Sequence, residues 1–471
     1  MSFTIQNVLI PVEQDYETVD VLVLGMAIAA IQPNLTEVMH PVIDGKHKLL
    51  LPGFVNAHTH SSEMWHRGLI PMLPLELWLT ALYDLTPLDP EQVYLSALAT
   101  AVETLLSGGT NLVDHLVLIP GKELETIAAA VKAYREIGIR AFIAPLIQDI
   151  SLMGGLPSGE NQQNLEPYFR STAATLELIE TAVKQFHCPE EGIYILVAPT
   201  GHQLCTDALF EGCIELSDRY DLCRHSHLLE TKAQQQLAQE KYGCSAVKHL
   251  QEMGYLSPKT SLAHCVWLSD SDIDILAETQ STVVHNPLSN LRLGSGISPL
   301  LKYRQAGVNV TFGCDGASSN DSQDLLEAIK IGSILHNSTD LDYQQWITPR
   351  QAVEMASQGG AIGLNLGHKL GSLTVGKKAD LVLYDLTNLS LLPRTDPIGL
   401  LILGRPTHAV HSIWINGKQI VSDRQIITID VEALRQELLN RSQWYTQKQF
   451  QSVTQIESYY RTVMGLTEKR V

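Results

Sequence analysis

The chain has 471 residues, of which 45% are hydrophobic and 18% charged, with a formal net charge of −18. That length allows one large domain plus a smaller one, and the apolar share suits a globular protein with a sizeable core. The acidic balance and the absence of a basic run exclude a nucleic-acid backbone as an electrostatic partner.

The N-terminal "MSFTIQNVLIPVEQDYE" has no charged region followed by an apolar stretch, so no signal peptide is expected. Apolar runs such as "VLVLGMAIAAI" (21–31) are too short to cross a bilayer, and no membrane partner is expected. The seven cysteines, Cys188, Cys205, Cys213, Cys223, Cys244, Cys265 and Cys314, show no C-x-x-C spacing. Reduced thiols and a cytoplasmic location follow as expectations.

In chain order, the first 50 residues read as short strands: "FTIQNVLIPV", "ETVDVLVLG", "AIAAIQP" and "HKLLLPG". The middle alternates apolar strand-like runs with helical stretches. The runs are 49–58, 109–117, 139–147, 193–199, 221–230, 260–268, 281–287 and 308–316. Helices are expected between them, for example over 90–109 and 123–138. Such alternation predicts an α/β fold, and eight units fit a (β/α)8 TIM-like barrel over residues 52–367. Strand texture returns in "GSLTVGKKADLVLYDL" (371–386) and in "HAVHSIWINGKQIVSD" (408–423), with an Asn416–Gly417 hairpin signal. A small β-sandwich built from 1–51 and 368–425 is expected, followed by a C-terminal helical extension over 426–471.

Polar residues gather at the C-terminal ends of the barrel strands: His58 and His60, His227, His264 and Asp315. These ends share one face of a parallel barrel, where an active site is expected. Positions i and i+2 of a strand face the same way, so His58 and His60 can grip one ion. With His227 and Asp315 they make a ligand set suited to Zn²⁺, or Fe²⁺ as the alternative. Glu230 is placed to carry a proton, and His264 to polarise the attacked group or stabilise charge on the attacking oxygen. Asp315 can accept the proton of the attacking water as well as hold the ion. Trp65, His66, His115, Thr200 and His202 are candidate substrate contacts. His225 reads as a hydrogen-bonded core histidine, and His285 as a structural or supporting one.

The residues "PGFVNAHTH", "HSHLLET", "LAHCVWLSDSDIDIL", "VVHNPLSNLRLGSGISP" and "FGCDGASSND" resemble the amidohydrolase superfamily. More narrowly they are similar to its branch of S-adenosylhomocysteine/methylthioadenosine deaminases, guanine and 8-oxoguanine deaminases and triazine chlorohydrolases. The resemblance implies a single metal on His58, His60, His227 and Asp315, Glu230 and His264 as the catalytic pair, and a homo-oligomer. No lysine stands where a carboxylated bridging lysine would hold a second metal. The arginine and "PHSPYL" of the adenosine-type enzymes have no match: "FIAPLI" (142–147) and "PTGHQL" (199–204) stand there instead. The stretch "LWLTALYDLTPLDP" (77–90) offers no clear acidic residue for ribose hydroxyls, and Cys314 replaces a threonine.

The expected reaction is hydrolytic deamination of an amino-substituted nitrogen heterocycle of purine, pteridine, pyrimidine or triazine type. The enzyme alternatives are a chlorohydrolase or N-alkylamine hydrolase of a triazine-like ring, and an S-adenosylhomocysteine/methylthioadenosine deaminase. The non-enzyme alternative is an inactive binding paralogue.

Overall fold

The computed structural model describes residues 2–85, 88–157, 170–442 and 450–466. Two four-stranded parallel paths form its centre. One runs Ala198–Pro199, Arg140–Ile147, Gly109–Val117, Phe54–Thr59, with Ile193–Ile195 also pairing on Arg140–Ile147. The other runs Arg224–Leu228, Thr260–His264, Thr282–His285, Val310–Phe312. Backbone bonds close the two into a barrel. His225 N donates to Val197 O (3.0 Å) and His227 N to Thr200 O (3.1 Å) on one side; Asp315 N donates to His58 O (2.9 Å) on the other.

The strands hold because they are buried on both faces. Gly109–Val117 is buried at every position except the last. Around them lie helices whose ends are set by local chemistry. Pro90–Leu106 starts on an Asp89–Gln92 capping box with Pro90 in its first turn, and Glu123–Ile137 stops at Gly138, φ 83°.

The 49–58 run is two strands rather than one. Lys48–Pro52 pairs antiparallel with Leu381–Asp385 outside the barrel, and Phe54–Thr59 begins the barrel. Gly53 is the joint: its N–H donates to Asp380 O (3.0 Å), and a Cβ there would run into the Thr110 side chain.

Outside the barrel, strands from both ends of the chain share one sheet of nine. It includes Phe3–Val12, Asp15–Leu24, Ala27–Gln32, Val410–Ile415 and Lys418–Ser422. Phe3 and Trp414 lie three strands apart along that sheet, a flat distance of about 14 Å. Their rings nevertheless stack at 5.2 Å, so the sheet doubles over its own core. Asn416 and Gly417 turn the last hairpin with φ of 51° and 71°, as a type I′ turn requires. The 371–386 stretch supplies a strand only over Leu381–Asp385.

Barrel and sheet are pinned by Arg140, which is 1% exposed. Its guanidinium meets Asp380, Asn111 Oδ1 (2.8 Å) and Asn416 Oδ1 (2.6 Å). In the C-terminal extension, Val431–Arg441 and Gln451–Val463 are helices; 443–449 and 467–471 lie outside the described residues. Gln451–Val463 packs on the Leu75–Tyr83 helix, where Ser452 Oγ donates to Thr80 O (3.4 Å) and to Asp84. Among the described residues no helix is long and apolar enough to cross a membrane.

Candidate active site

The strand ends bring His58, His60, His227, Glu230, His264 and Asp315 to one face of the barrel, all buried or nearly so. Tight backbone geometry sets them there: Leu229, His264, Cys265 and Asp315 have φ of 45°, 74°, 48° and 64°. Left-handed backbone at non-glycine residues is costly and collects at functional sites.

His58, His60 and His227 are each held from behind through Nδ1. His60 Nδ1 donates to His115 O (2.6 Å) and His227 Nδ1 to Thr200 O (2.7 Å). A carbonyl only accepts, so these bonds place an N–H on each Nδ1 and turn Nε2 towards the cluster. Burial opposes charge on His60, but the Glu63 and Asp315 carboxylates push it up overall. His58 Nδ1 lies 2.8 Å from His225 Nε2, and His225 Nδ1 lies 2.7 Å from Ser261 Oγ. The His60 and His227 Nε2 atoms face each other at 3.3 Å. Asp315 Oδ1 stands 3.4 Å from Nε2 of both His58 and His60.

Converging lone pairs beside a carboxylate repel unless a cation lies between them. His58 Nε2 is buried without a hydrogen-bond partner among the described residues, as a ligand atom would be. Burial pushes His58 down to about 4 and His227 well below the ordinary histidine range, so both rings are neutral donors of lone pairs. Burial opposes charge on Asp315, but the imidazoles packed around it, His58 first and then His264 and His60, hold its carboxyl well below the usual range. The ligand atoms of His58, His264 and Asp315 lie within 4.8 Å of one another, as do those of His58, His60, His115 and His227. The donor set therefore fits one divalent ion.

Beside this cluster, His264 Nε2 is 3.6 Å from Glu230 Oε2 and 3.8 Å from Asp315 Oδ2, while its Nδ1 meets Asn290 Oδ1 at 2.9 Å. Glu230 is held by Ser295 Oγ (2.9 Å), and burial pushes its carboxyl up to about 7. A carboxyl so placed can deliver a proton near neutral pH.

A cavity of about 400 Å³ opens over these groups. Its floor is His60, His227, Glu230, His264 and Asp315; its upper walls are mainly apolar, including Trp78, Leu79, Leu82, Ile119 and Leu178.

Of the candidate substrate contacts, His66 and Thr200 line this cavity. Trp65, His115 and His202 do not. The Trp65 indole N–H is taken by Gln92 O (2.8 Å) and His202 Nε2 by Gln234 O (3.1 Å). His115 stacks behind His227, its ring centroid 4.7 Å away, with Nε2 3.3 Å from Ala198 O. His225 is the hydrogen-bonded core histidine expected, and His285 bonds His336 through Nε2 at 3.2 Å. Cys314 is buried and its N–H donates to Asn56 Oδ1 (3.0 Å). In the stretch 77–90, Thr86 and Pro87 lie outside the described residues.

Among the lining residues that the sequence reading leaves out is a second buried carboxyl group. Glu63 is buried beside the cluster, and burial pushes it up to about 7 against the pull of His60. The signal for it is the spacing His60-x-x-Glu63, which repeats His227-x-x-Glu230.

A profile of the Amidohydrolase family matches residues 49–420. The chain belongs to the amidohydrolase family. Curated relatives of this amidohydrolase span nearly its whole length. It is 33% identical over 450 residues to a 5-methylthioadenosine/S-adenosylhomocysteine deaminase of Caldanaerobacter subterraneus subsp. tengcongensis, covering 94% of this chain and 98% of that one. To a 5'-deoxyadenosine deaminase of Methanosarcina barkeri it is 32% identical over 432 residues, covering 91% and 93%. Among solved structures, the atrazine chlorohydrolase of Arthrobacter aurescens in complex with zinc shares the fold at a TM-score of 0.86 and 24% identity, covering 93% and 99%. An adenosine deaminase of Xanthomonas campestris with bound zinc aligns at a TM-score of 0.81 and 25% identity, covering 98% of both chains. The barrel with its β-sandwich is the fold of this family, and the family is metal-dependent.

Proposed function

We propose that this amidohydrolase deaminates an amino-substituted nitrogen heterocycle hydrolytically, using His58, His60, His227 and Asp315 as metal ligands and Glu230, His264 and Asp315 as the catalytic groups. It is a hydrolase of carbon–nitrogen bonds other than peptide bonds. The observation that carries the role assignment is the pairing of a lone-pair-rich ligand cluster with a buried, protonatable Glu230 one histidine away.

A bound divalent ion, zinc first and iron second, would lower the pKa of water from ~15.7 towards ~7. The chain's own groups do the rest. Asp315 Oδ2 takes the proton of the attacking water. Glu230 protonates the ring nitrogen beside the attacked carbon. His264 Nε2, beside Asp315 Oδ2 and Glu230 Oε2, is placed to steady charge on the attacking oxygen. The C–N bond breaks as the amino group is protonated, giving a ring carbonyl and ammonia.

Relatives named as deaminases of 5'-modified adenosines support a purine-type ring, and the apolar upper walls suit a substituent on it. A triazine-like ring losing chloride or an alkylamine is the second reading, favoured by the likeness to the atrazine chlorohydrolase fold. Product analysis on amino-purines, pterins, pyrimidines and triazines separates the two: ammonia supports deamination, and chloride or alkylamine without ammonia overturns it.

The proposal includes three units, 1–51 with 368–425, 52–367 and 426–471, in a cytoplasmic homo-oligomer. The unpaired state of all seven cysteines supports the compartment. Leu439, exposed on Val431–Arg441, marks a candidate contact between copies.

A further inference from the structure

Glu63 has no part in the reaction described above, yet it is built into the same floor. It is 4% exposed and lines the cavity. The Ser318 backbone N–H (3.3 Å) and hydroxyl (2.7 Å) both donate to its Oε2. Among the described residues nothing donates to Oε1, which keeps its lone pairs. Gly316 makes the room: a Cβ there would run into the Glu63 carboxylate.

Glu63 and Glu230 reach the site from different sides. Asp315 Oδ1 faces His58 and His60, and Glu63 follows His60 and rests on the loop after Asp315. Asp315 Oδ2 faces His264, behind which stand Glu230 and Ser295. A ring carbon attacked between them has one neighbour towards Glu230 and the other towards Glu63. The two Ser318 donors on Oε2 hold the carboxylate in place and leave Oε1 turned to accept. A buried carboxylate facing a ring lone pair is repelled and left unpaired; facing a ring N–H it gains a charge-assisted hydrogen bond.

We infer that Glu63 is a substrate-binding residue that accepts a ring N–H beside the reacting carbon, opposite the nitrogen protonated by Glu230. The inference rests on the deaminase reading and narrows it. It assigns substrates with the edge –N=C(NH2)–NH–, as in guanine, 8-oxoguanine and pterin. Adenine and triazine edges have no ring N–H next to the amino carbon.

Guanine and 2-aminopurine make a matched pair. Both carry the amino group between two ring nitrogens, and only guanine has hydrogen on one of them. The wild type is expected to favour guanine in kcat/KM, and Glu63→Gln to lower the guanine to 2-aminopurine ratio by roughly 10- to 100-fold, mostly through KM. Gln keeps an oxygen for Ser318, so folding and metal content should hold. Calorimetry with xanthine, the guanine product, should show weaker binding to Glu63→Gln by a similar factor. An unchanged ratio overturns the inference. So does an equal loss on both rings accompanied by loss of metal, or a wild type that releases ammonia only from adenosine-type rings. No ammonia from any ring overturns the deaminase reading and this inference with it.

Discussion

His58 Nδ1 lies 2.8 Å from His225 Nε2, and through it His58 is tied to Ser261. The chain of bonds points Nε2 of His58 at Asp315, where a metal ligand is needed. His225 touches neither cavity nor reacting atoms, so it is a positioning residue. Partners of this kind typically contribute 10- to 100-fold to metal affinity. His225→Gln should therefore weaken metal binding by about that factor in a chelator competition while the protein stays folded. Affinity equal to wild type would show that His58 needs no such support.

His227→Ala removes one of the four proposed protein ligands. Metal content after dialysis should fall towards zero, and activity with it. Unchanged metal in this variant would take His227 out of the ligand set.

Glu230→Gln should keep its metal and lose at least ~10²-fold in kcat, as expected for a group that transfers a proton. The pH profile gives the sign. Burial pushes Glu230 from 4.5 up to about 7, so its protonated, donating form prevails below about 7 and is lost above it. The rate should fall as pH rises through that region. A rate that climbs there instead would make Glu230 a base in its resting form.

The same shift bears on stability. Glu230 binds its proton more tightly folded than unfolded, so its contribution weakens stability as pH rises from about 4.5 to about 7. In metal-free protein, Glu230→Gln should raise the Tm relative to wild type at pH 8 and have little effect at pH 4. Equal melting curves at pH 8 would deny the buried charge its cost.

Far from the site, Asp380→Ala would strand the Arg140 guanidinium, which is 1% exposed, between barrel and sheet. Breaking a buried pair from one side costs about 3–5 kcal/mol. Denaturant unfolding should show a loss of that size, and a loss below 1 kcal/mol would mean that water reaches the guanidinium.

The barrel is legible in the sequence because strands buried on both faces read as unbroken apolar runs. Gly109–Val117 coincides with its run residue for residue. Where two such strands abut, the signal fails: Lys48–Pro52 and Phe54–Thr59 look like one run, and only the packing of Gly53 on Thr110 divides them. The proposed ligands are legible because histidines end strands of a parallel barrel. Groups that face outward from the same turns are not. Trp65 and His202 sit beside the site in sequence, but Gln92 and Gln234 carbonyls claim their N–H groups. Glu63, whose one sequence signal is its spacing from His60, becomes part of the site only because Gly316 and Ser318, over 250 residues away, close around it.

Elemental analysis of the purified chain, taken beside ammonia release from the same sample, tests the central claim most directly. The account predicts one divalent ion per chain, zinc or iron, with turnover lost on chelation and restored on reloading. Metal-free protein that still releases ammonia would contradict it.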